Sequence, residues 1–192
     1  MLPDEYQPRR ELPVHLRTPV EPEPAFAFEI RETAAQDLPD IREIYNYYVA
    51  NSVVTFDEDA MTLREWRSKF AYLSKLKMPF IVAVSPSGQI LGYALVSPWK
   101  QKRAYRYTVE NSIYLRAAST GKGLGRALMA GLIEESRAAG LKEIIAVIAD
   151  GGAEASLKLH EDFGFKEIGR MGRVGFKFDR WLGTVLLQKQ LK

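Results

Sequence analysis

The chain has 192 residues, 46% of them hydrophobic, and a net charge of +3. That is room for one domain with an extension and a real core, and too little charge for a dedicated nucleic-acid binder. The absence of cysteine excludes disulfides, thiolate metal sites and a cysteine nucleophile, and two histidines, His15 and His160, give no basis for a zinc site.

No apolar run is long enough to span a membrane, and no signal-peptide core is apparent. The expectation is a cytoplasmic protein without a metal, nucleic-acid or membrane partner. Residues 1–25 read as a tail or arm. Six of the ten prolines lie there, Pro3, Pro8, Pro13, Pro19, Pro22 and Pro24, and a stretch such as PVEPEPAF is extended or disordered by composition. The remainder, 26–192, is expected to fold as one domain.

FAFEIRE reads as a strand. Thr33 with Gln36 has the spacing of a capping box for a helix running to about residue 51. Ile41, Ile44, Tyr45 and Tyr48 share one face of it. Thr62 with Glu65 repeats the signature and opens a second helix, with Leu63, Trp66, Phe70 and Leu73 as its buried stripe. FIVAVS, the turn PSG and QILGYALVS make a hairpin. AYRYTVENSIYLRA reads as one long strand. A helix over 124–139, ended by Gly140, has Leu124, Leu128 and Leu132 at helical spacing. KEIIAVIA is a continuous apolar run, as in a strand buried on both faces. AEASLKLHEDFGF is a short helix stopped by Gly164. Two strands follow, near 166–173 and 184–190. A hairpin ahead of helix-linked strands predicts an α/β or α+β fold on a mixed sheet.

STGKGLGRALM, between the long strand and the helix at 124, places glycines at 121, 123 and 125. Glycine costs conformational entropy, so the backbone freedom must serve something. A tight turn needing positive φ would account for one glycine. Free N–H groups at a helix start form an anion site, and bare backbone lets a phosphate approach. Lys122 and Arg126 add positive charge. A nucleotide P-loop needs Ser or Thr after its lysine, but Gly123 follows Lys122. A dinucleotide fingerprint needs G-x-G-x-x-G, and neither start in this loop completes it. A pyrophosphate held by another kind of loop remains.

TGKGLGRALM resembles the Q/R-x-x-G-x-G/A loop of the GNAT superfamily of acyl-CoA N-acyltransferases. SLKLHEDFGF resembles the last core helix of that family and the turn after it. GYALVSPWKQKRAYRYTVENSIYL and GFKFDRWLG look like the phosphinothricin and methionine sulfoximine acetyltransferase branch. The likeness runs in the same order over about 28–191. It implies a strongly twisted mixed sheet with helices on both faces and a splayed strand pair that holds acetyl-CoA. It implies that Thr120, Gly121, Lys122, Gly123, Leu124, Gly125 and Arg126 hold the pyrophosphate. Backbone of Ile113, Tyr114 and Leu115 would bond the pantetheine arm. Tyr107, Val109, Ile113 and Leu115 read as one strand face that Asn111 interrupts, and such a polar break can mark a ligand site. Thr120 stands where Gln or Arg is usual, Ala153 where an asparagine is common, and Gly183 where an acidic residue is common.

The implied reaction is direct transfer of acetyl to a small amine. An α-amino group with a pKa of about 7.7–8.0 is mostly protonated at neutral pH, so attack needs a base. Glu110 is the candidate, with Thr108 and Ser112 on the same polar strand face. His160 is a candidate proton donor to the leaving thiolate, or an auxiliary group near substrate or water; a structural helix histidine is the plain alternative. Arg106, four residues before Glu110, is the candidate for a substrate carboxylate, with Arg103 and Lys102 next. A homodimer is expected. A peptide or protein N-terminal acetyltransferase and a non-catalytic acyl-CoA or nucleotide sensor remain as rival readings.

Overall fold

The computed structural model describes residues 26–192, so the proline-rich tail expected over 1–25 lies outside the described residues. In chain order the elements are β1 (Glu29–Glu32), α1 (Leu38–Asn51), α2 (Leu63–Lys75), β2 (Phe80–Val84), β3 (Ile90–Pro98), β4 (Thr108–Leu115), α3 (Leu124–Ala138), β5 (Glu143–Ala149), α4 (Glu154–Asp162), β6 (Lys166–Lys177) and β7 (Arg180–Gln190). The strands form one seven-stranded sheet in the order β1-β2-β3-β4-β5-β7-β6. Neighbours are antiparallel except β4 and β5, which run parallel and are joined through α3. A parallel pair needs such a crossover because its chain must return to the starting edge.

Helices cover both faces. Successive strand side chains alternate between faces, so β2 sends Phe80 and Val82 to one side and Ile81 and Ala83 to the other. The first pair packs with Leu38, Ile41 and Ile44 of α1 and with Trp66 and Leu73 of α2. The second packs with Leu124, Leu128, Met129 and Leu132 of α3. Trp66, Leu124, Leu128 and Met129 are fully buried, and a buried aromatic or aliphatic side chain of this size contributes about 1.5–3 kcal/mol.

Local signals account for several boundaries. Thr62 and Glu65 make the expected capping box at α2. Gly140 and Gly164, both at φ +78, follow α3 and α4 in left-handed backbone that glycine adopts without penalty. Other boundaries differ from expectation. Thr33 and Gln36 do not cap α1. A short 3-10 turn over Ala35–Asp37 leads into it, and Asp37 takes the Ala34 N–H at 2.8 Å and two bonds from the Arg31 guanidinium at 2.7 and 2.8 Å. The long strand expected from Ala104 begins only at Thr108, because Arg103–Tyr105 form a 3-10 turn. β6 and β7 are longer than predicted. They meet in a tight hairpin whose two turn residues, Phe178 and Asp179, both have positive φ. That geometry usually takes Asn-Gly, which is why the turn was not legible.

Candidate active site

β4 and β5 pair at only three positions, Thr108 with Glu143, Val109 with Ile144 and Glu110 with Ile145. Beyond Glu110 they part. β4 stays with β3 as far as the Leu115–Gly92 pair, and β5 stays with β7 as far as Ala149–Thr184. Residues 111–115 and 146–149 therefore border a gap with no ladder across it. Backbone groups on such edges need partners from outside the sheet. A cavity of about 730 Å³ fills the gap and reaches Glu110, Asn111, Tyr114, the glycine loop, Ala153 and His160. That size suits a small-molecule or cofactor site.

The glycine loop forms one wall. Gly121 at φ +74 and Gly123 at φ +81 are both left-handed, and a Cβ at either would meet nothing within 4 Å. Backbone conformation thus accounts for two glycines, not the one that a simple turn was expected to use. Gly125 has no positive φ, and a Cβ there would lie 3.4 Å from Leu159 Cδ2 and 3.8 Å from Leu115 Cδ1, at the edge of ordinary contact. The geometry still favours an anion. Gly123 is the residue before α3, and no side chain caps that helix. Its first N–H groups are left for water or a ligand. Thr120, Gly121, Gly123, Gly125 and Arg126 line the cavity. Lys122 and Leu124 are not among the lining residues. The Lys122 ammonium lies 4.6 Å from the Phe26 ring centre, and the Leu124 side chain is core. Arg126 pairs with Asp162 at 2.7 Å. Thr120 Oγ1 donates to the Ala117 carbonyl at 3.0 Å.

Ile113, Tyr114 and Leu115 all line the cavity. The Leu115 carbonyl already accepts a bond from Tyr48 Oη at 2.7 Å. Tyr114 is wedged among Tyr45, Tyr48 and Tyr93, with ring centres 5.2–5.6 Å away, and burial pushes its phenol up to about 12. Glu110 is half-buried. Burial raises its carboxyl above the usual carboxylate range, partly opposed by Lys69 and Lys100. Such a group is a stronger base than an exposed glutamate. Lys69, whose own basicity is lowered by burial, also feels Asp57. Sequence reasoning read Lys69 as neither site nor core, since a lysine on a helix has no periodic signature of its partners.

His160 is buried. Its Nδ1 is 2.8 Å from the Ser156 carbonyl oxygen and its Nε2 is 2.9 Å from Asn111 Nδ2. Burial lowers its pKa, against the backbone bond to Ser156.

The expectation that Arg106 shares a strand side with Glu110 is corrected. Arg106 ends the 3-10 turn with helical backbone, φ −56 and ψ −19, so strand alternation does not reach it. Its guanidinium lies 4.4 Å from the Tyr107 ring centre. Arg106, Arg103 and Tyr107 are exposed and outside the cavity lining. Tyr107 precedes β4, so it is not part of the apolar face either. Gly183 has a spatial explanation. A Cβ there would collide with Asp150 Oδ2 and the Met171 carbonyl, and the Asp150 carboxylate accepts the Gly183 N–H at 3.0 Å. The acidic group beside this position is Asp150, the residue just past the end of β5.

A mixed sheet parted at one parallel pair, with an uncapped helix start beside the gap and a basic carboxylate within it, makes a site for an anionic ligand next to a proton acceptor. Comparison with known proteins makes this specific. The sequence model of the acetyltransferase (GNAT) domain matches residues 30–186. A methionine sulfoximine/methionine sulfone acetyltransferase of Pseudomonas aeruginosa is 40% identical over 84% of this chain and 94% of its own length. A phosphinothricin N-acetyltransferase of Alcaligenes faecalis is 36% identical over 86% of this chain and 83% of its own. The crystal structure of a phosphinothricin acetyltransferase from Sinorhizobium meliloti in complex with acetyl-CoA superposes with a TM-score of 0.82 at 39% identity, covering 85% of this chain and 88% of that one. The chain belongs to the GNAT acetyltransferase family and is an N-acetyltransferase. Among the described residues no helix is long and apolar enough to cross a membrane, and no cluster of metal-binding side chains is found.

Proposed function

We propose that the protein moves the acetyl group of acetyl-CoA to the amino group of a small amino acid or analogue, of the kind for which the Pseudomonas and Alcaligenes relatives are named. The observation that carries this reading is the position of Glu110. It is the last residue of β4 paired to β5, it lines the cavity, and burial keeps it more basic than an exposed carboxylate. The parted strands, the left-handed glycines and the bare start of α3 fit a ligand with a pyrophosphate and an amide arm. Acetyl-CoA supplies the acetyl group as a thioester. Thr120 to Arg126 hold its phosphates, and backbone of Ile113 and Tyr114 aligns its arm. Glu110 accepts the proton that the amine must lose, directly or through water, a form of help worth about 10²–10⁴-fold. The single proton of neutral His160 is engaged by the Ser156 carbonyl, which favours the auxiliary role over proton donation. For the substrate carboxylate, Arg106 and Arg103 stand at the turn before β4, and Lys69 and Lys100 are the cations whose charge acts on Glu110.

A homodimer is part of the same proposal. Ile168, Met171, Val174, Phe176, Phe178 and Trp181 are exposed on the β6–β7 hairpin, with the Phe176 and Trp181 ring centres 5.4 Å apart, and a second copy would cover exposed apolar side chains of this kind. The decisive experiment is a thiol-release assay with acetyl-CoA and a panel of amines: methionine sulfoximine, phosphinothricin, free amino acids, amines without a carboxylate, and short peptides. Turnover confined to the amino-acid set supports the proposal. Preference for peptides overturns the substrate class, and acetyl-CoA binding without turnover of any amine overturns the enzymatic role.

A further inference from the structure

The pairing of Asn111 on β4 with His160 on α4 joins positions 49 residues apart inside the gap. His160 Nδ1 faces the Ser156 carbonyl oxygen at 2.8 Å. A carbonyl only accepts, so Nδ1 carries the hydrogen. Burial of the ring favours its neutral form, and a neutral imidazole has one N–H. Nε2 is therefore bare and can only accept. The group 2.9 Å from it must be the amide NH2 of Asn111, which fixes the way round that this side chain sits.

The consequence falls on the other end of the amide. Asn111 is 8% exposed, and its Oδ1 is buried without a hydrogen-bond partner among the described residues. Buried amide oxygens are nearly always satisfied, so this acceptor calls for a donor that the described residues do not supply. Asn111 is part of the cavity wall. It also points away from the Glu110 side, since neighbours on a strand alternate. Tyr114, two pairs on from Glu110, packs with the α1–α2 cluster, whereas Ile113 and Leu115 pack with the α3 cluster. The amine chemistry at Glu110 leaves Asn111 on the other side, next to α4.

We propose that Asn111 is a binding residue for the acyl donor. Its Oδ1 accepts a hydrogen bond from an amide N–H of the pantetheine arm, and His160 is the positioning residue that holds the amide the right way round. This rests on the reading that an acyl-CoA fills the gap. Protonating His160 at Nε2 would force the Asn111 amide to turn over and withdraw Oδ1 from that role.

Calorimetry with CoA and with acetyl-CoA, together with nitrogen NMR of the imidazole rings, tests the assignment. His15 and His160 are the two histidines of the chain, so His15→Gln identifies the signals. Wild-type His160 is expected to show a protonated Nδ1 and a bare Nε2. Asn111→Leu should weaken both ligands by about twofold to tenfold, the range of one neutral hydrogen bond. His160→Leu should do the same, and the double variant should lose no more than Asn111→Leu alone. Asn111→Asp keeps an acceptor, so it should retain affinity within about twofold while converting His160 to the doubly protonated ring. A protonated Nε2 in the wild type overturns the proposal. So does unchanged affinity in Asn111→Leu. Weakening of CoA but not of acetyl-CoA would place the contact at the thiol and overturn the amide assignment. A wild-type protein that binds neither ligand removes the acyl-CoA reading and this inference together.

Discussion

The ammonium of Lys177 donates to the carbonyl oxygen of Thr55 at 2.9 Å, across 122 positions of chain, and at the same distance to that of Ser52. This buried lysine ties the end of β6 to the loop between α1 and α2. That loop supplies Val54, Thr55 and Phe56 to the cavity wall. Gly175 on the same strand leaves room for the Phe56 ring, which a Cβ would approach to 2.5 Å. Lys177→Met removes the donor and leaves two carbonyls unpaired. The expected loss is about 1–3 kcal/mol in urea unfolding, with a raised KM for the amine. An unchanged unfolding midpoint would show that the loop holds its place without the lysine.

Glu110→Gln keeps the shape of the side chain and removes its ability to take a proton. The expected fall in kcat is about 10²-fold or more. The deficit should shrink at high pH, where more of the amine is already free. Wild-type rates across the pH range would make Glu110 a structural residue.

Lys69→Met tests the electrostatics of the base. Burial raises the Glu110 pKa, and Lys69 and Lys100 lower it in part. Without the Lys69 charge the carboxyl must become more basic still. The acid limb of the kcat profile should therefore move to higher pH, with lower rates below the limb and unchanged rates on the plateau. A limb that stays in place or moves to lower pH would assign it to another group.

In the glycine loop two variants separate charge from backbone. Lys122→Gln keeps the fold and should weaken CoA by about twofold to fivefold, the scale of one exposed charge near a helix start, at about 0.3–1 kcal/mol. The loss should fade as salt is added. Gly123→Val places a β-branched side chain at φ +81 and should lower CoA affinity far more. Equal affinity for all three proteins by calorimetry would remove the phosphate from this loop.

Arg106→Ala decides how the substrate is recognised. If its guanidinium meets the carboxylate, KM for methionine sulfoximine or phosphinothricin should rise about 10–150-fold, the scale of a charge-assisted hydrogen bond at about 1.5–3 kcal/mol. An amine without a carboxylate should be little affected, and Arg106→Lys should rescue only in part. Equal effects on both substrate types would move the role to Lys69 or Lys100.

The sequence by itself determined what depends on near neighbours. The capping box at Thr62, the buried run of β5, the stop at Gly164 and the glycine loop ahead of α3 are each written within a few residues, because helix and strand periods and left-handed turns are local properties of the backbone. The family motifs are equally local, and they carried Glu110, His160 and the loop to their places beside one cavity. Tertiary structure decided the pairings. Whether Arg106 shares a side with Glu110 depended on a 3-10 turn that replaced a strand. Asp150 stands beside Gly183, 33 positions away. Asn111 meets His160 across 49 positions, and Lys177 meets Thr55 across 122. Such contacts are set by how sheet and helices stack, and a side chain's reach through space leaves no period in the chain that could announce them.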